Sequence, residues 1–317
     1  MTGIKIADCH CDTLLKVNAG EANFINPGNC HIDLPKMKKA GIMMQFMAIY
    51  VHSHFKPQSA LRRSLELVKT FYDLLNNPEV MHIRYKEDLD LLLENYPNHV
   101  GLLLSLEGAE PIENMDILDI AFILGVRSIG LTWNIRNMLA DGIDESSTKG
   151  GLTSFGKQVI KRMNQLGMLV DVSHISEAGF WDVIRVANAP IIASHSNCYA
   201  LCPHLRNLKD EQIIQIAETK GFIGITFYPE FIGLNKDLDS IVDHINYVVN
   251  LVGIEHVAIG SDFDGAKFTI KGLEDASQYH NLIRKLYDKG YKTDEVQRIM
   301  GYNIINTLQR ILPGRKQ

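Results

Sequence analysis

The sequence predicts an α/β protein, a single (β/α)8 TIM barrel domain covering residues 1–317. Three observations carry this. Eight short apolar runs alternate with amphipathic helical patterns along the chain, and parallel neighbours need crossover helices of this kind. No Gly-x-Gly-x-x-Gly follows the first run, so the fingerprint of an open dinucleotide-binding sheet is missing. Residues able to bind metals or move protons gather at the carboxyl ends of the runs, the face on which a parallel barrel builds its site.

The first run, Ile4-Lys5-Ile6-Ala7-Asp8, leads into Cys9-His10-Cys11-Asp12. If it is a strand, side chains alternate, so His10 and Asp12 face one way and Cys9 and Cys11 the other. Residues 20–39 are rich in Asn, Pro, Gly and charge, which predicts a long loop with a short helix over 34–39. The nearly continuous apolar run 41–51 is a strand buried on both faces. Leu61, Leu65, Val68, Tyr72 and Leu75 recur three or four apart, an amphipathic helix that stops near Asn77-Pro78. Strands follow at Val100–Glu107 and 126–133. A helix capped by Thr153 or Ser154 comes next, then a strand at 167–174 and a helix opened by Ser176 and Glu177. The last three strands fall at 190–195, 221–227 and 256–262, with helices near 209–219 and 238–252 between them and a final helix starting near Thr293-Asp294. Residues 314–317 are expected to be a frayed tail.

With 317 residues and 46 % hydrophobic composition, the chain is long and apolar enough for a sizeable core. A formal net charge of −5 and the lack of a dense Lys/Arg run argue against nucleic acid as a partner. Neither a secretory signal nor an apolar run of bilayer length is seen, so the expectation is a cytoplasmic protein, not a membrane one, with its five cysteines as reduced thiols. Cys198 and Cys202 have no second pair to complete a zinc knuckle.

His10, Asp12, Glu107, His174, His195 and Asp262 all fall at predicted strand ends. One polar residue at a strand end is ordinary; six converging on one rim predict a metal site. The donor types favour two ions: His10 and Asp12 for one, His174 and His195 for the other, with the two oxygens of Glu107 between them. Ions about 3.5 to 4 Å apart activate water and polarise a carbonyl. His52 and His54 lie past the end of the second strand and are left outside the site, and His204 lies near the rim. Ser173-His174 and Ser194-His195 are sequence neighbours, so strand alternation predicts that neither serine meets its histidine.

The set Asp8-Cys-His10-Cys-Asp12, Ser105-Leu-Glu107-Gly108, Val170-Asp-Val-Ser-His174-Ile-Ser176, Ala193-Ser-His195-Ser196, Leu205-Arg206-Asn207 and Gly260-Ser-Asp262-Phe-Asp264-Gly265 resembles the membrane (renal-type) dipeptidases, metal-dependent barrels related to the amidohydrolases. The resemblance covers nearly the whole chain. It implies a metallo-dipeptidase with two Zn2+ ions, the first held by His10, Asp12 and Glu107 and the second by Glu107, His174 and His195. It also implies Arg206 on the substrate carboxylate, Asp262 in proton transfer, a small dipeptide as substrate and, as is common in the family, a homodimer. Leu131-Thr132-Trp133-Asn134 departs from mammalian members, which carry a substrate-contacting His there, and Trp133 is the candidate pocket wall in its place. The alternatives are another metal hydrolase on the same barrel (a lactonase, deaminase or phosphoesterase) or a non-catalytic metal-binding barrel.

Overall fold

Short apolar segments that cannot all reach water pair side by side, and here they close into a ring. The computed structural model describes residues 3–267 and 269–315. Its strands are β1 (Ile6–Asp8), β2 (Ile42–Tyr50), β3 (Val80–His82), β4 (Val100–Glu107), β5 (Val126–Gly130), β6 (Leu169–Asp171), β7 (Ile191–Ala193), β8 (Phe222–Ile225) and β9 (Val257–Ile259). All described ladders are parallel, in the order β2-β1-β9-β8-β7-β6-β5-β4-β3, and a further pairing of β2 with β4 closes an eight-stranded barrel. The eight strands expected from the sequence are these, without β3.

β3 is a finding that the sequence reading did not include. Its three residues pair with Val100–Leu102 at the start of β4, while β5 pairs with the same strand only from Leu104 onward. The two strands therefore share one edge of β4 in succession, and β3 stays outside the ring. The other three-residue strands sit in longer apolar runs, whereas Glu79, His82 and Arg84 break up the stretch around β3. The expected helices appear as Leu34–Ala40, Ala60–Leu74, Ser154–Leu166, Glu177–Val186, Asp210–Glu218, Leu238–Val252 and Thr293–Gln297. Thr153 and Ser176 cap theirs, accepting from the backbone N–H of Gly156 and Gly179. Of the tail expected to fray, Arg315 is tied down: its N–H donates to Glu87 at 3.0 Å and its guanidinium pairs with Asp88. Lys316 and Gln317 lie outside the described residues.

The larger core fills the space between barrel and helices, and a smaller cluster joins Ala7, Phe46, Leu103, Ile192 and Ala258 from β1, β2, β4, β7 and β9. Residues from opposite sides of the ring meet there, so the barrel interior is packed. This packing leaves the carboxyl rim as the face on which a site can be built.

Candidate metal centre

The ladders around the site are shorter than the apolar runs that predict them. β1 ends at Asp8, β6 at Asp171, β7 at Ala193 and β9 at Ile259, so His10, His174, His195 and Asp262 project from the first residues beyond. His174 and Asp262 take left-handed backbone, φ 67° and 64°, which non-glycine residues seldom adopt and which marks functional turns. Alternation persists beyond β1. Cys9 and Cys11 turn their thiols onto backbone carbonyls, Cys9 to Ser194 and Ile259 at 3.0 Å each, while His10 and Asp12 face the site.

All six predicted residues converge, each at most 9 % exposed. His10 Nε2 lies 3.6 Å from Asp12, 3.7 Å from Glu107 and 3.9 Å from Asp262. Glu107 Oε1 is 3.0 Å from His174 Nε2 and 3.6 Å from His195 Nε2. The donor atoms of His10, Glu107 and His195 lie within 4.8 Å of one another, as do those of His10, Asp12 and Asp262, so Asp262 stands among the ligand types. A Cβ at Gly265 would lie 2.3 Å from both Asp12 Oδ2 and Asp262 Oδ1, so only glycine leaves room for this approach.

The donor set fits a cation. Ser194 Oγ donates to the Asp171 carboxylate and so accepts the Nδ1 proton of His195 at 2.8 Å. Asn134 Oδ1 accepts the Nδ1 proton of His174 at 2.5 Å. Both rings then present bare Nε2 lone pairs, only 2.8 Å apart. Two lone pairs at that distance repel unless a positive charge lies between or beside them. His10 Nε2 and Asp12 Oδ1 are buried without a hydrogen-bond partner, a further mark of ligands aimed at an ion.

The electrostatics agree. Burial lifts Glu107 well above the usual carboxylate range, with Asp12 adding to the effect. Burial likewise pushes Asp262 up to about 7 against the pull of His10 and Arg206. Burial and nearby His10 and Arg206 hold His174 and His195 well below the ordinary imidazole value. Burial opposes a charge on His10, but Glu107, Asp12 and Asp262 override it and raise the group to about 10. The His10 proton thus takes the place of a cation among crowded carboxylates.

Arg206 is 5 % exposed; it donates to the His195 carbonyl at 2.9 Å and to Ser196 Oγ at 3.4 Å, and its Nε has no partner. Trp133 stacks on His174 at 5.9 Å and tilts against Tyr50 at 5.4 Å. Lys56 Nζ lies 5.3 Å from each of the Tyr50 and Trp133 rings and pairs with Glu110 at 3.0 Å, an ion pair that the sequence reading missed. His52 and His54 are exposed, joined to each other through Nδ1 atoms 2.8 Å apart.

One expectation is corrected. Ser194 does meet His195, because both lie past the end of β7, where strand alternation no longer applies. The contact is made at Nδ1, and the Ser194 hydroxyl is committed to Asp171, so the pair orients the imidazole of a candidate ligand and is no nucleophile. Asp171 also accepts from the N–H groups of Ser173 and Ser194. Asp8 is its counterpart across the barrel, accepting from His10 N, Ser261 N and Oγ, and Tyr279 Oη. The signal for both was an aspartate ending an otherwise apolar strand.

The sequence profile of the membrane dipeptidases, peptidase family M19, matches residues 1–313. The chain belongs to that family. It is 32 % identical to the dipeptidase aclJ of Aspergillus oryzae over 97 % of this chain and 78 % of that protein. The same identity links it to an uncharacterized dipeptidase of Schizosaccharomyces pombe, over 96 % of this chain and 80 % of that one. Among solved structures, dipeptidase AC, a metallopeptidase of family M19, superposes with a TM-score of 0.90 at 27 % identity, covering 98 % of this chain and 99 % of that one. A metallopeptidase from Rhodobacter sphaeroides, liganded with a phosphinate mimic of the dipeptide L-Ala-D-Ala, matches with a TM-score of 0.89 at 26 % identity over 97 % and 99 % of the two chains. This M19 dipeptidase is therefore a metal-dependent hydrolase of peptide bonds, which sets aside the lactonase, deaminase, phosphoesterase and non-catalytic readings. Despite the family name, no helix among the described residues is long and apolar enough to cross a membrane.

Proposed function

We propose that this M19 dipeptidase binds two zinc ions and cleaves dipeptides that carry a free C-terminal carboxylate, with a D-amino acid tolerated at that end. The observation that carries the two-ion reading is the pair of Nε2 lone pairs, 2.8 Å apart beside one oxygen of Glu107, while the other oxygen faces His10. His10, Asp12 and Glu107 would hold one ion, and Glu107, His174 and His195 the other. Zinc suits this mixture of imidazole and carboxylate donors. When bound, the ions supply Lewis acidity at the scissile carbonyl and a water of lowered pKa.

The chain's own residues do the rest. Asn134 and Ser194 fix the ring tautomers, so His174 and His195 need no reorganisation to bind. Arg206 clasps the substrate carboxylate through its planar guanidinium, and its hydrogen bond to the His195 carbonyl sets its distance from the reacting bond. Asp262, lifted to about 7 by burial, takes a proton near neutrality and returns it to the leaving amine. Trp133, stacked on His174, walls the substrate on the side where it also meets Tyr50. Tolerance of a D-residue is supported by the L-Ala-D-Ala mimic held by the Rhodobacter relative. The five unpaired thiols support a reducing, cytoplasmic setting. Metal analysis of the purified protein, combined with hydrolysis of matched L-L and L-D dipeptides, tests the proposal. About two zinc ions per chain and turnover of both series are expected; one ion, or a strict demand for an L-residue, would refute the corresponding half.

A further inference from the structure

We infer that the cavity beside Arg206 and His174 is the subsite for the side chain of the C-terminal residue, and that it selects neutral, medium-sized aliphatic side chains. The inference rests on the proposed capture of the carboxylate by Arg206. The α-carbon of a C-terminal residue carries three heavy substituents: the carboxylate, the amide nitrogen and the side chain. Arg206 would fix the first, and the second is bonded to the scissile carbonyl, which ions held beside His174 would position. The third must fall next to both, and a cavity of about 140 Å³ is lined by those two residues and by buried Ser196.

The chemistry of the lining sets the preference. Ile143, Ile175 and Leu208, each at most 9 % exposed, give it aliphatic walls. Lys209 and Glu177 also line it, but they pair with each other at 2.8 Å. Their charges offset each other, and the buried cation of the lining, Arg206, is taken by the α-carboxylate, so a charged side chain would leave water without a charge partner of its own. At roughly 30 Å³ per water-sized group the space accommodates about four or five heavy atoms, the size of a Leu or Met side chain. Glycine leaves it unfilled.

The test is a ratio of kcat/KM values for L-Ala-Leu, with Leu in either configuration, against L-Ala-Gly, measured on the zinc-loaded enzyme. For the better configuration the ratio should be at least about tenfold, since one added methylene in an apolar pocket already discriminates by that much. L-Ala-Glu should fall below L-Ala-Leu. Ser146 lines the cavity from an exposed position of the short 3-10 helix Ile143–Thr148, so Ser146→Trp should fill it from the solvent side and bring the Leu-to-Gly ratio close to one. Leu208→Phe should do the same from the wall, with metal content measured on both variants to show an intact site. A ratio near one in the unaltered enzyme, or a ratio that survives both substitutions, overturns the assignment. Failure of the underlying carboxylate reading looks different: Arg206→Ala would then slow a free and a C-terminally amidated dipeptide equally, and the premise would be gone.

Discussion

Replacing Arg206 with Ala removes a guanidinium that is 5 % exposed, donates to the His195 carbonyl at 2.9 Å and keeps Nε without a partner. A substrate carboxylate docked there would be a desolvated, charge-assisted pair. Truncating one member of such a pair costs on the order of 2 to 4 kcal/mol, which at about 1.4 kcal/mol per factor of ten is a loss of roughly 30- to 700-fold in kcat/KM. The assay compares a free dipeptide with its C-terminal amide. The unaltered enzyme should process the amide poorly, and Arg206→Ala should lower activity on the free peptide while barely changing that on the amide. Arg206→Lys should recover only part of the loss, because an ammonium cannot make the two-pronged contact. Because Arg206 also holds the backbone of His195, a proposed ligand, zinc content must be measured alongside. Equal losses on the two substrates with full metal content would refute the carboxylate role.

His174→Ala should cost most of the second metal ion, since it deletes one of the facing lone pairs; undiminished zinc in that variant would remove His174 from the centre. Asp262→Asn should keep its metal and lose roughly a hundredfold or more in turnover if the carboxylate carries the proton; loss of an ion instead would make Asp262 a ligand, as its place beside His10 and Asp12 permits. Trp133→Phe should change the ranking of dipeptide substrates while leaving zinc bound, as expected of a ring stacked on His174, and an unaltered ranking would count against the wall. The metal-free protein should lose stability as pH rises from 6.5 towards 10. In the folded state the His10 value is about 10, above its ordinary 6.5, so its contribution is complete below 6.5 and disappears through 10, on the order of 2 to 5 kcal/mol. Asp262, raised from 3.8 to about 7, works in the same direction, but its contribution is lost between those two values and is nearly gone at the start of this window. Urea unfolding of chelator-treated protein at pH 6.5 and pH 9 checks this, with zinc expected to abolish the difference; a flat profile without metal would contradict the crowding of carboxylates described here.

Strand and helix order, and with it the barrel, could be read from the sequence because the buried strands are largely apolar runs and the helices between them carry a stripe three or four residues apart. The rim residues could be read for a topological reason: in a parallel barrel every strand end points to one face, so His10, Glu107, His174, His195 and Asp262 had to be neighbours once the strands were placed. β3 escaped because it sits in no longer apolar run, with Glu79 before it and His82 and Arg84 breaking the stretch, and its place outside the ring depends on β2 reaching past it to β4. The burial of Arg206, the Lys56–Glu110 pair and the tautomers of His174 and His195 were decided by tertiary structure. Asp171 meets Ser194 from 23 residues away and Asn134 meets His174 from 40. The sequence specified which side chains reach the rim: Glu107 is set by its own ladder as the last residue of β4, whereas His174 and His195 lie past the ends of β6 and β7 and take their final directions from these distant hydrogen bonds.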